Sequence, residues 1–211
     1  MRALPRRRML AAALALPALH RSARAFAQDS TDVRQPIVAL YATLEKLMRA
    51  GQATPFPDRF AILAPVIDRV YDLETVLKVS VGLKWPSIDP ASRSSLAEVF
   101  RAFTIASFVA NFDKFEGERF DVLPDLRTVG ADQVVQTRIV SASGEPIRLD
   151  YVMQPSDGGW RVTDVLLDGT ISRVAVQRSD FRALLAHGDA GALIASLRRK
   201  VAHLSGGTLV S

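Results

Sequence analysis

The chain has 211 residues, 48% of them apolar, no cysteine, and 27 lysines and arginines against 22 acidic residues. Without cysteine there is no disulfide framework, no thiolate metal site and no acylated-cysteine anchor, and the length suits one domain with a sizeable core. Six of the basic residues and none of the acidic ones lie in the first 27 positions, leaving 21 against 22 beyond them and a net charge of −1, which withdraws support from a nucleic-acid partner.

Arg2, Arg6, Arg7 and Arg8 open the chain, an apolar run covers Met9 to Leu19, and Ala25-Phe26-Ala27 closes the segment. This is the order of an export signal with an Ala-x-Ala cleavage site. The run is too short to span a bilayer, which takes about 20 apolar residues. Arg6-Arg7 ahead of Met9-Leu10, with Arg21 and Arg24 near the cleavage site, also resembles a twin-arginine signal, so that route and the general secretory one both stay open. Residues 1–27 are read as a signal peptide and 28–211 as one domain exported to a bacterial periplasm.

From Pro36 to Ala50, Ile37, Leu40, Tyr41, Leu44, Leu47 and Met48 recur at helical spacing, and Gly51 ends the helix. After the turn Thr54-Pro55-Phe56-Pro57, a second helical stretch capped by Asp58 carries Phe60, Leu63, Ile67, Val70, Leu73 and Leu77 in one stripe. Pro65 inside it is expected to start or kink a helix. Trp85-Pro86 closes that region. Asp89-Pro90 leads into a long helix through Phe100, Phe103, Ile105, Phe108, Val109, Phe112 and Phe115, ended by Gly117. The period then shifts toward two over Glu118–Leu123, Gln133–Ser141, Pro146–Gln154 and Trp160–Leu167. The links Gly130-Ala131-Asp132, Ser143-Gly144-Glu145 and Asp157-Gly158-Gly159 fit an antiparallel meander. Two terminal helices, Ser172–Ala186 and Asp189–Leu204, complete an α+β domain with helices on one sheet face.

Catalytic chemistry has little to work with. Past the leader only His187 and His203 remain, and both read as helix-surface residues. Asp164 and Asp168 share strand parity, and Asp68 and Asp72 share a helix face, so either pair serves acid/base chemistry only if one member is buried. Asp168-Gly169 reads more simply as a turn and cap, and Asp68 has Arg69 and Lys78 nearby. Gly158-Gly159 precedes a strand, which is not the setting of a phosphate loop. The residues therefore point to no catalytic group, no metal and no cofactor.

The informative feature is the quantity of large apolar side chains on long helices beside a small sheet. A helix layer leaning over a curved sheet can leave a cleft that takes apolar ligands. The candidate lining is Leu63, Val66, Val70, Leu73, Phe103, Phe108, Phe112, Tyr151, Met153, Trp160 and Val162, some of which must be plain core.

Several ordered stretches resemble a known family. They are Arg59-Phe60 through Pro65, Asp68 and Leu73 to Gly82 and Trp85; Trp160-Arg161-Val162-Thr163-Asp164-Val165 with Asp168-Gly169; Arg178 and Phe181; and Gly188-Asp189 to Leu193-Ile194, Leu197 and Lys200. Together they look like the MlaC-like periplasmic phospholipid-binding family, associated with toluene tolerance and outer-membrane lipid asymmetry, over about Pro36 to Leu204. The runs Gln133 to Arg138, Ser143 to Pro146, Asp150 to Met153 and Ser172 to Arg182 are most similar to its hopanoid-associated HpnM branch. Where such carriers often have a tyrosine-rich segment, this chain has Phe108, Phe112 and Phe115, which implies a more apolar mouth.

The resemblance implies a fold similar to nuclear transport factor 2: a curved antiparallel sheet of about four strands wrapped by helices, with a helical lid. It implies a phospholipid or hopanoid ligand held by its apolar part, and no enzyme activity. The implied partners are an inner-membrane ABC permease complex with its membrane-anchored lipid-binding subunit, an outer-membrane lipid-exchange complex, and transient docking at a membrane surface. A carrier is physically necessary, because keeping two acyl chains of about sixteen carbons from water is worth roughly 25 kcal/mol at about 0.8 kcal/mol per methylene. Arg101 and Lys114 are candidates to meet a phosphate, though solvated surface charge is their simpler reading. Two other readings stay open: a small-molecule enzyme on the same cone-shaped fold with Asp164 or Asp150 as base, and a ligand-free envelope scaffold.

Overall fold

Helix α1 (Gln35–Ala50) starts on Pro36 and puts Ile37, Leu40, Tyr41, Leu44, Leu47 and Met48 on one buried face. Gly51, at φ 61°, turns the chain out of it. The computed structural model describes residues 32–141, 144–185 and 189–209; the expected signal peptide, Ser143 and His187 lie outside them. Helix α2 (Phe56–Val70) runs through Pro65 without ending there, and Asp58 sits in its first turn while Pro55 takes the cap position. The break expected at Pro65 comes instead at Tyr71-Asp72. There the Asp72 N–H donates to the Val162 carbonyl (3.0 Å), and the Asp72 carboxylate caps α3 (Leu73–Val81) by accepting from Thr75 N (2.9 Å) and Oγ1 (2.7 Å). The single apolar stripe is therefore two helices with a strand contact between them.

Helix α4 (Pro90–Asn111) begins at Asp89, whose side chain accepts from Ser92 N at 3.0 Å. It stops at Phe112, short of Gly117. Leaving the helix there lets the Phe112 ring lie nearly parallel to Phe108 (6.0 Å, 16°) and reach Phe120 (6.0 Å). Arg59, only 6% exposed, donates to the carbonyls of Val109 (3.5 Å) and Asp113 (3.4 Å), placing a cation at the negative end of α4. Helices α5 (Arg173–Arg182) and α6 (Gly191–Leu204) follow the sheet.

The sheet is α+β in setting, as expected, and has five antiparallel strands in chain order: β1 (Arg119–Val129), β2 (Asp132–Val140), β3 (Ile147–Ser156), β4 (Gly159–Leu167) and β5 (Ile171–Ser172). Strand β1 runs well past Leu123, because the register shifts between Val122 and Leu126 and so absorbs Pro124 and Asp125 on an edge strand. Two residues were too few for β5 to show a period. The inner face stacks Val135, Tyr151 and Val165 in one row and Thr137, Leu149 and Leu167 in the next. On the opposite face Asp150 is wholly covered, clamped by Arg148 (2.9 and 2.7 Å) with Arg127 at 3.9 Å. Asp168 and Gly169, both at positive φ, form the β4–β5 turn under Arg148; a Cβ on Gly169 would meet that guanidinium at 2.8 Å.

Buried side chains fall into two clusters. One joins α1, α2 and the second half of α4 to the sheet; the other is all helical and joins α3, the first half of α4, α5 and α6. Helix α4 belongs to both, giving Leu96, Val99 and Phe100 to the helical cluster and Ile105 and Val109 to the sheet cluster. Removing the cap between α2 and α3 tests the first joint: Asp72→Ala is expected to cost about 1 kcal/mol, read as a melting temperature lowered by about 2–4 °C.

Candidate functional site

The two clusters do not close on each other completely. Between them lies a cavity of about 560 Å³, within the usual range for small-molecule sites. Helix α4 supplies Phe100, Phe103, Thr104, Ser107, Phe108 and Asn111, Phe112 follows at its end, and the sheet supplies Ile139, Leu149, Tyr151, Val165 and Leu167. Leu73 and Val76 of α3, Val174 and Gln177 of α5, Met48 of α1 and Tyr71 add to the lining. Thr104 and Ser107 add little polarity, since their hydroxyls donate to the Phe100 (2.9 Å) and Phe103 (2.7 Å) carbonyls of their own helix.

The exposed lining residues Asn111, Ile147 and Arg173 mark one open end. The pairs Arg119 with Val140 and Ile139 with Ile147 set Glu118, Ser141 and Ile147 at one end of the sheet, where Leu167 and Arg173 also arrive. That end carries a polar rim of Glu118, Ser141, Asn111 and Arg173 around the half-exposed Ile147. Tyr151 lies four residues further along β3, about 13 Å inward at the usual strand rise. Polar groups thus gather at the mouth, and apolar ones line the way in.

At the inner end Tyr41, Tyr71 and Tyr151 come together, with Tyr71 and Tyr151 on the cavity wall. The Tyr41 hydroxyl bonds Thr137 Oγ1 at 2.6 Å, and Thr137 Oγ1 in turn donates to the Leu149 carbonyl at 2.7 Å. Burial pushes the pKa of all three phenols up, partly offset for Tyr41 by its bond to Thr137. All three are neutral hydroxyls at physiological pH.

Of the residues expected to line a cleft, the structure brings five together there: Leu73, Phe103, Phe108, Phe112 and Tyr151. Leu63, Val70, Met153 and Val162 are sealed in the sheet cluster, and Val66 and Trp160 pack against it from the side. Phe115 is turned away, under the Arg49 guanidinium at 3.8 Å. Sequence reasoning missed Thr104, Ser107 and Asn111, which share the α4 face of Phe100, Phe103 and Phe108 and so were findable by helical spacing. It also missed Val76, Val174 and Gln177, which only the placing of α3 and α5 brings in.

The charged candidates are engaged elsewhere. Arg101 holds Asp68 through two 2.7 Å bonds beside a separate cleft of about 720 Å³, and Lys114 pairs with Glu116. That cleft lies beyond Tyr71 and Leu73 and is lined by acids and bases together, including Glu74 with Lys78 at 2.6 Å. Asp150 faces away from the cavity. Asp164 borders it, but its carboxylate accepts from Val165 N (2.7 Å), Val174 N (3.1 Å) and Ser172 Oγ, fastening the start of α5 to β4. A carboxylate so occupied works as a helix anchor. His203 is exposed on α6.

The family model for the MlaC protein matches residues 40–199. No curated protein matches the sequence. Among solved structures, the phospholipid-binding protein from Ralstonia solanacearum, determined in complex with a phospholipid, is similar with a TM-score of 0.71 at 18% identity. The match covers 83% of this chain and 99% of that one. At this identity the likeness establishes the fold.

Two substitutions test the site. Ser107→Phe puts a ring into the cavity from the α4 wall and is expected to weaken an apolar fluorescent probe about tenfold or more, a loss of about 1.4 kcal/mol, with the melting temperature little changed. Asp164→Ala orphans three donors and is expected to cost about 1–3 kcal/mol, with hydrogen exchange rising first at Val174 and Ala175.

Proposed function

The chain belongs to the MlaC protein family, and on that footing we propose that it is a carrier that takes phospholipid by its acyl chains and leaves the headgroup at the polar mouth. The observation that carries the reading is the apolar cavity between α4 and the sheet, open at one sheet end and lined by phenylalanines on one side and by sheet side chains on the other. The phospholipid-bound Ralstonia solanacearum protein of the same fold supports it. Binding of this kind needs no chemistry. Each methylene withdrawn from water contributes about 0.8 kcal/mol, so even one acyl chain makes transfer through water negligible without a carrier.

In this reading residues 1–27 are a signal peptide removed after Ala27, and the remaining chain works as a single domain in the periplasm. It exchanges lipid with an inner-membrane ABC permease complex through that complex's membrane-anchored lipid-binding subunit, and with an outer-membrane complex, docking transiently at membrane surfaces. The sequence likeness to the HpnM branch makes a hopanoid the second cargo to look for. Among the described residues no helix is long and apolar enough to cross a membrane.

Native mass spectrometry of protein purified from its own periplasm, followed by organic extraction, tests the proposal. A stoichiometric diacyl phospholipid is expected in the extract. Identical masses before and after delipidation would sink the carrier reading, and a hopanoid would retain it with a different cargo.

A further inference from the structure

Along most of its length the cavity asks only for hydrocarbon, yet its inner end is built of phenols. Counting their protons shows which hydrogen bonds remain to be made. Thr137 has one hydroxyl proton and gives it to the Leu149 carbonyl. Tyr41, at 2.6 Å from the same oxygen, must therefore be the donor to Thr137. The Tyr151 hydroxyl faces that of Tyr41, with the two rings edge to face at 6.0 Å, so its proton runs the same way. The relay points away from the cavity and leaves acceptor capacity on Tyr151.

Tyr71 supplies the other half. Its side chain belongs to a residue 7% exposed, its ring packs edge-on against Phe108 at 5.8 Å, and it sits on the cavity wall with Tyr151. Tyr71 lines both this cavity and the neighbouring cleft, and its hydroxyl is hydrogen-bonded to no described residue. A donor without an acceptor and an acceptor without a donor thus share one apolar space. Filling that space with saturated hydrocarbon would seal both unsatisfied, which is costly for buried polar groups.

We propose that the Tyr71–Tyr151 end of the cavity is a hydrogen-bonding subsite for a hydroxyl borne on the buried part of the lipid, well away from its headgroup. A hydroxyl fits because it both accepts, here from Tyr71, and donates, here to Tyr151. The depth of Tyr151, about 13 Å from the mouth along β3, places that hydroxyl near the middle of a long chain. The proposal rests on the carrier reading and specifies its ligand class: hydroxylated lipids over plain ones. Thr104 and Ser107 do not compete for the role, since their own helix already satisfies them.

The test compares two mono-acyl phospholipids with the same headgroup and chain length, one plain and one with a mid-chain hydroxyl, displacing a fluorescent lipid from the delipidated protein. The hydroxylated lipid is expected to bind about tenfold more tightly, the scale set by satisfying a buried polar pair. Tyr71→Phe is expected to bring that ratio close to one, and because the ratio is first measured on the unaltered protein it does not depend on how well the variant folds. Equal affinities for the two lipids, as a trapped water on Tyr71 would give, overturn the subsite and leave the carrier reading standing. A ratio retained in Tyr71→Phe also overturns it. Failure of both lipids to displace the probe overturns the carrier reading, and the subsite falls with it.

Discussion

One helix has to serve two cores. The 22 residues of α4 bury Leu96, Val99 and Phe100 among helices and, one to two turns later, Ile105 and Val109 against the sheet side. A straight helix cannot aim a single apolar stripe at two bodies that lie on different sides of it, so the stripe must widen. Phe103, Phe108 and Phe112 are that widening, and they face the gap that the two cores leave. The cavity follows from this constraint, and it exists because neither core can expand into the seam without giving up contacts on α4.

A seam of this kind would collapse or fall open if the two bodies were joined only through α4. Strand β4 prevents both. In mid-strand, the Val162 carbonyl accepts from Asp72 N at the α2–α3 joint. Two residues on, Asp164 accepts from Ser172 Oγ and from Val174 N in the first turn of α5. The helical body is therefore pinned to one strand at two places, with the α4 contacts opposite. The first pin is a backbone bond beside the Asp72 carboxylate that caps α3, and the second is the Asp164 carboxylate at the start of α5; both carboxylates sit where unpaired N–H groups and the helix dipole favour negative charge. The same arrangement commits the lone pairs of Asp72 and Asp164 to holding backbone.

Much of this was legible in the residues. The α1 face, the sheet alternation through Ile147, Leu149, Tyr151 and Met153, and the clustering of phenylalanines on α4 all follow from period alone. Periodicity could not tell Leu63 or Met153, which fill the sheet core, from Phe103 or Phe108, which border the cavity, because burial against protein and burial against a ligand select the same side chains. The residues brought by α3 and α5 were hidden for a different reason. Val76 and Val174 are ordinary on their own helices and become lining only through the pins on β4. Pro65 misled in the other direction: an exposed proline in α2 lacks one donor yet leaves the rest of the turn intact, whereas the break at Tyr71-Asp72 is imposed by a strand that no local rule could see.

The distribution of polarity along the cavity completes the argument. Serine and threonine on α4 turn their hydroxyls back onto their own helix, so the middle of the cavity is apolar despite its composition. Ionisable groups that reach the walls sit at the mouth, where water and a headgroup can solvate them, or are consumed as anchors, as Asp164 is. Only the phenols stand at depth, and they can do so because burial raises their pKa and keeps them uncharged. A charged group at that position would require a counter-ion inside the seam, and the ion pair would tie the two cores together across the space a ligand needs. Neutral hydroxyls give the inner end direction and selectivity without closing it.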